Sequence, residues 1–293
     1  MIFRKPLVYS AILFFLLLSC SRKSPELILS CGWDEISMTD ISKEVPLKVW
    51  SWTAEGSDGL PGFMRNKFLT TDDCKPIKNG KQILITSSGG GVALIEQASG
   101  NTLFYAALPN AHSAELLPGD LLVAAASFST QGNRLNLYST NASNNVVFSD
   151  SLYGAHGLQW DGKRKVLWAL GTEELRSYSL LKGESPGLIL RSTIELPESD
   201  GHDLQFLENK NELGLSTASG VWIYSIDTEK FSKHPLIGEE NKVKSISYNS
   251  ITGETAYVKA GDESWWAYYI RFAGSNRVVY LPGEKIYKVR WVY

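Results

Sequence analysis

The stretch Ala111-His112-Ser113-Ala114-Glu115-Leu116 constrains the fold more than any other, because the chain returns to it twice. Its counterparts are Ala155-His156-Gly157-Leu158-Gln159-Trp160 and Gly201-His202-Asp203-Leu204-Gln205-Phe206, and the three histidines stand 44 and 46 residues apart. The chain has 4 histidines, so three of them head these segments. A period of that length is one four-stranded blade of a β-propeller. Blades set around an axis bring equivalent residues together. The repeat therefore predicts three imidazoles facing one another across a central channel.

The rest of the chain fits the same rhythm. From Glu26 onward, short apolar runs alternate with turn residues and no stretch carries helical periodicity. Five units of four strands can be read between Cys74 and Tyr280, the last with a third strand over Trp266 to Ile270. Third strands recur as Leu137-Tyr138-Ser139, Ser177-Tyr178-Ser179 and Ile223-Tyr224-Ser225. Three strands near the N-terminus (Glu26 to Cys31, Glu35 to Thr39, Leu47 to Trp52) lack a fourth, and Ile286 to Val292 is a strand without partners. Together they make a sixth blade that closes the ring and hides strand edges. The expected fold is thus all-β: a six-bladed β-propeller of four-stranded blades, closed by one C-terminal strand joining three N-terminal strands, in a single domain over 26–293. Residues 53 to 68, rich in Gly and Pro, read as a long loop with a task of its own or a covering role.

Ahead of the propeller, Arg4 and Lys5 precede the apolar run Leu7 to Leu18, too short to span a bilayer comfortably and suited to a signal peptide. Leu17-Leu18-Ser19-Cys20 resembles a bacterial lipobox. By that resemblance 1–19 is a lipoprotein signal peptide, Cys20 is the lipidation site and 20–25 is a tether. The expected location is the outer or inner membrane, facing the periplasm, with contact to the membrane through the N-terminal lipid alone. The net charge of −2, without a basic stripe, argues against a nucleic-acid partner. Cys31 and Cys74 sit in apolar runs and read as buried free thiols, although an exported compartment permits a disulfide.

Aligning the first strands places Asp73, His112, His156, His202, Lys244 and Tyr287 at one position, with Asp72 only one residue from the same register. Such a ring at the channel mouth has no obvious structural need, because core positions favour apolar groups. Three neutral imidazoles with an open fourth position suit a catalytic divalent metal, Zn or Mn, held by His112, His156 and His202. Lys244, Tyr287 and Asp73 are then the candidate catalytic groups, the amine offsetting charge and the phenol or carboxyl acting as acid or base. Three residues further on stand Glu115, Gln159, Gln205 and Arg290, candidate ligand-binding residues or, since an odd offset on a straight strand turns a side chain to the other face, contacts to neighbouring blades. Glu115 is a fourth ligand or a base only if the entry to its strand is bent.

Other features carry less. His234, before Pro235, reads as solvent-exposed. Asp161 reads as a turn cap and Asp203 as a brace for the neighbouring histidine. Trp50, Trp52, Trp265 and Trp266 suit either sugar stacking or packing between blades, and one of the adjacent pair Trp265-Trp266 is expected at the surface. Ser88-Gly89-Gly90-Gly91 is a turn: no helix follows to make a phosphate cradle. No GxSxG elbow is present.

The segments NAHSAELLPGD, GAHGLQWD and DGHDLQF, with Trp50-Ser51-Trp52 and Asp73-Cys74-Lys75-Pro76, resemble a family of six-bladed propeller lipoproteins of unknown function from Bacteroides-type, polysaccharide-degrading bacteria. The resemblance implies the fold and an envelope location but no activity. A looser similarity links the chain to propeller polysaccharide lyases that hold a metal on channel histidines, with no residue transferable by position. Two readings stand. In one, the mouth binds a metal and a carbohydrate or small anionic, uronate-like ligand, with metal-assisted lyase or hydrolase chemistry if it is an enzyme. In the other, a non-catalytic propeller binds a glycan or a protein partner in an envelope complex.

Overall fold

Six first strands close on one another around a central axis: Thr71–Ile77, Ala111–Leu117, Gly157–Asp161, Asp203–Phe206, Val243–Tyr248 and Lys288–Val292. Each contacts the next, and the sixth contacts the first. This computed structural model describes residues 25–208 and 211–292. The expected signal peptide and Cys20 lie outside the described residues.

Each first strand begins a four-stranded antiparallel sheet, which we number as blades 1 to 6 in the order above. Blade 6 is assembled from both ends of the domain, with Lys288–Val292 paired to Leu27–Cys31, followed by Glu35–Asp40 and Leu47–Thr53. The expected fold and its closure are both present.

The core lies between blades. Six clusters of buried apolar side chains each join one blade to its neighbour around the whole ring. This explains the recurring third-strand tyrosine: Tyr138, Tyr178 and Tyr224 are fully buried, each in the cluster shared with the preceding blade. Tyr138 meets Phe104 edge-on at 5.7 Å, and Tyr224 meets Trp168 in the same way at 5.7 Å. Cys31 and Cys74 are buried free thiols between blades 6 and 1.

Three expectations need correction. The connection over 53–68 is no plain loop: it contains a short helix, Gly62–Arg65, and a 3-10 turn, Asn66–Phe68. Met64 and Phe68 from it fill the seam between blades 6 and 1, and a Cβ at Gly91 would sit 2.6 Å from the Phe68 ring. The third strand of blade 5 is Tyr269–Phe272, later than expected. Trp265 and Trp266 are drawn off the sheet by Trp33, which stacks on Trp265 at 4.8 Å and meets Trp266 edge-on at 6.1 Å. Finally, His234 is buried, not exposed. Its Nδ1 accepts hydrogen bonds from the backbone N–H groups of Leu236 and Ile237, closing the turn at Pro235.

Candidate functional site

The start of every first strand is bent by one extra residue. In blade 1 the register passes from Thr71–Ser87 to Asp73–Thr86, leaving Asp72 as the inserted residue. His112 and Lys244 are inserted in the same way in blades 2 and 5. His156, His202 and Tyr287 donate their N–H to the strand residue that also pairs with their successor: Leu170, Ser216 and Cys31. Such bulges are a recognised means of re-aiming a side chain. The inserted residue and its successor both turn toward the axis, and alternation then brings the residue two further on to the same face.

The channel is therefore lined in three levels. The upper level is Asp72, His112, His156, His202, Lys244 and Tyr287, all lining one cavity of about 410 Å³ together with Asn110, Phe128, Asp200 and Trp265. The sequence alignment identified five of the six ring members. Asp73 is the exception, since the bulge puts Asp72 at the mouth and sends Asp73 below it.

Local backbone explains how the imidazoles are held. Two residues before each histidine stands a residue with left-handed backbone: Asn110 (φ 56°), Gly154 (φ 56°) and Asp200 (φ 69°). Asn, Gly and Asp are the residues that tolerate this conformation. That turn aims the carbonyl of Gly154 at His156 Nδ1, 2.8 Å away, and the carbonyl of Asp200 at His202 Nδ1, 2.9 Å away. A carbonyl can only accept, so in both rings Nδ1 carries the proton and Nε2 presents a lone pair. His202 Nε2 receives Lys244 Nζ at 2.5 Å. Among the described residues, no protein group bonds to His156 Nε2. His112 differs: its Nε2 donates to Asn110 Oδ1 at 3.1 Å, and its Nδ1 lies 3.1 Å from Asp72 Oδ1 but out of hydrogen-bond alignment.

The rings form a stack, with centroids 4.2 Å apart for His112–His156 and 5.0 Å for His156–His202. Burial and the neighbouring imidazoles His112 and His202 hold His156 well below the usual histidine range. Burial and Lys244 bring His202 down to about 4. Both rings are thus neutral near pH 7. Burial also lowers Lys244, and burial with nearby Asp72 pushes Tyr287 well above the usual phenol range, so its hydroxyl keeps its proton. Among the described residues no group of three or more His, Cys, Asp or Glu side chains is arranged to hold a metal ion. At His202 the Nε2 lone pair is occupied by the Lys244 amine.

One residue below the mouth the channel is closed by charge pairs. Arg290 donates to Asp73 Oδ1 at 2.9 Å and grips Asp203 with both terminal nitrogens at 2.8 and 2.7 Å. Lys288 donates to Asp203 Oδ1 at 3.2 Å, and Ser113 donates to Asp73 Oδ2 at 3.0 Å. Burial alone would raise both carboxyls, but Arg290 and Lys288 prevail and hold them below the usual range. Lys75 completes the plug, bonding Glu115 at 3.0 Å and the Leu158 carbonyl at 2.5 Å. Asp73, expected as a catalytic group, Asp203, expected as a histidine brace, and Glu115 and Arg290, expected as ligand-binding residues, are all buried and charge-paired in this plug, and Glu115 and Arg290 also line the cavity at the opposite mouth. Gln159 and Gln205 lie beyond it, in a separate cavity at the opposite mouth. Asp161 caps its turn as expected, accepting from the N–H groups of Lys163 and Arg164.

Sequence reasoning missed Asn110, Phe128 and Asp200, while Asp72 and Trp265 were named as alternatives. For Asn110 and Asp200 a signal exists: a residue suited to left-handed backbone two positions before each histidine. Trp265 is 40% exposed, its ring backed by Trp33 and set edge-on to Tyr287 at 5.4 Å.

A family of unknown function, DUF6528, matches residues 36–293. The chain belongs to that family. No curated protein matches it. For this DUF6528 member, whatever can be said of function comes from the channel itself.

Proposed function

We propose that the upper mouth is a binding site for a sugar-like ligand, a saccharide unit rich in hydroxyls and able to carry a carboxylate. The observation that carries this reading is the unpartnered Nε2 of neutral His156, held beside an aromatic surface. A neutral imidazole nitrogen accepts from a hydroxyl, Lys244 and the protonated Tyr287 donate, and Asp72 accepts. A polyol presents this mixture of donors and acceptors. Trp265, backed by Trp33 and partly open, and Phe128, 44% exposed, supply apolar surface for a sugar ring. At 410 Å³ the cavity falls within the range of small-ligand clefts, about 300–1,000 Å³.

Calorimetry against uronate-containing oligosaccharides tests the reading. Binding that weakens at least tenfold in His156→Ala and in Trp265→Ala supports it. Absence of binding across the panel, or binding indifferent to both changes, sinks it. Release of unsaturated uronate, followed by absorbance, checks whether Lys244 and Tyr287 also act as an acid–base pair. The proposal extends to location: a lipid on Cys20 would tether the propeller in the envelope, where such glycans are met. Palmitate labelling abolished by Cys20→Ser is the expected result.

A further inference from the structure

The opposite mouth opens a cavity of about 760 Å³ that the plug separates from the histidine ring. Its wall carries Gln159 and Gln205, at equivalent positions of the adjacent blades 3 and 4, three residues after each histidine. The bulge explains their direction: counted from the inserted residue they should face away, but counted from its successor they stand two positions on and face the axis. Both are half-buried, and among the described residues neither carboxamide bonds to protein. Each offers two N–H donors and an acceptor oxygen. Trp160, next in sequence to Gln159, also lines the cavity, and no acceptor for its indole N–H is present among the described residues.

These groups do nothing for the fold that an apolar or small residue would not do better, because half-buried amides gain no protein partner. The buried charged groups nearby are already matched, and the exposed lining residues Lys163 and Glu208 carry opposite signs. On the floor, Lys75 pairs with Glu115, and Arg290 with Asp73 and Asp203. At the rim, Asp161 pairs with Arg164. Between the matched floor and the exposed Lys163 and Glu208, the open valences of the wall are the neutral, directional carboxamides, flanked by aromatic edges of Trp160 and Phe206 that pack into the blade seams.

We propose that this opposite mouth is a second, independent binding site for a neutral saccharide, read by the carboxamides of Gln159 and Gln205. Each carboxamide can bridge a vicinal hydroxyl pair, donating to one oxygen and accepting from the other, as an unpaired charge could not without a counter-ion. The plug isolates this site from the histidine mouth, so ligand at one face leaves the other accessible.

The test uses the full chain and unbranched neutral tetrasaccharides of β-linked glucose and galactose, read by quenching of tryptophan fluorescence and by calorimetry. The expected result is binding that survives Trp265→Ala and falls at least tenfold in the double variant Gln159→Ala, Gln205→Ala, with the melting temperature held. Gln159→Glu keeps the side-chain size and should weaken the same binding while adding sensitivity to salt. Three results overturn the proposal: no tetrasaccharide binding, binding insensitive to both glutamines, or glutamine-dependent capture of unstructured peptide instead of saccharide. None of them touches the histidine-mouth reading, which is judged by the His156 and Trp265 variants.

Discussion

Two levels of the channel sit one residue apart on the same six strands and have opposite characters. The lower one, with Asp73, Asp203 and Lys288, is completed by Arg290 from the same closing strand, and its acids and bases are matched atom for atom. The upper one, with Asp72, His156 and Tyr287, leaves lone pairs and protons facing open space. Packing explains the lower level throughout. Even Gly157 fits it, since a Cβ there would meet Leu204 Cβ at 2.7 Å where blades 3 and 4 press together. Nothing in the packing explains the upper level. The bulge is what allows one strand to serve both demands, aiming successive residues at the axis.

Breaking the lower level should cost most. Asp203→Ala leaves Arg290 and Lys288 with a single acid and should destabilise the fold by about 3–5 kcal/mol in urea titration. Replacing Asp203 and Arg290 together with Leu and Met should cost less than Asp203→Ala, because no lone charge remains. If the double change is the worse one, the plug has a role beyond charge matching.

Acid should strike next, through the upper level. An unfolded histidine titrates near about 6.5, whereas His202 titrates at about 4 in the fold. Between those values the unfolded chain binds more protons, so stability is full above about pH 6.5 and falls as pH drops toward 4. The His202 share is at most on the order of 3 kcal/mol at about 1.4 kcal/mol per pH unit, and His156, also held low, loses stability in the same direction. The urea midpoint measured from pH 8 to pH 5 should fall, and His202→Gln should flatten the slope.

Smaller effects sharpen the contrast. Glu115→Gln keeps the shape and leaves Lys75 its bond to the Leu158 carbonyl. Burial already raises the Glu115 carboxyl against the pull of Lys75, so the loss should be about 1–2 kcal/mol in thermal melting. Trp265→Ala removes only a partly exposed ring stacked on Trp33 and should cost about 1 kcal/mol. Its larger signature is expected in saccharide binding.

The ring of blades was legible because it is written twice over, in the histidine period and in the strands left unpaired at each end of the domain. The third-strand tyrosines confirmed it for a reason that strand counting could not supply, namely that each fills a seam. The site was legible to within one residue. A bulge adds one residue without altering the apolar pattern, so Asp72 and Asp73 were indistinguishable by alignment, and the levels below the histidines could not be aimed. The partners of Arg290 lie 217 and 87 residues away, beyond the reach of any local pattern. His234 was misjudged because its burial follows from a turn that only the fold creates, after Pro235.

The closing strand Lys288–Val292 brings both Lys288 and Arg290, and this orders events during synthesis. Asp73 leaves the ribosome 217 residues before its guanidinium partner. At about 5–20 residues per second, that is an interval on the order of ten to forty seconds. Over its last 87 residues, once Asp203 is made, the blades must keep two acids in water, with the ring unable to shut. Ring closure and neutralisation of the channel are then one step, which waits for the closing strand. A nascent chain halted before Lys288 should remain open to protease and strongly dependent on salt.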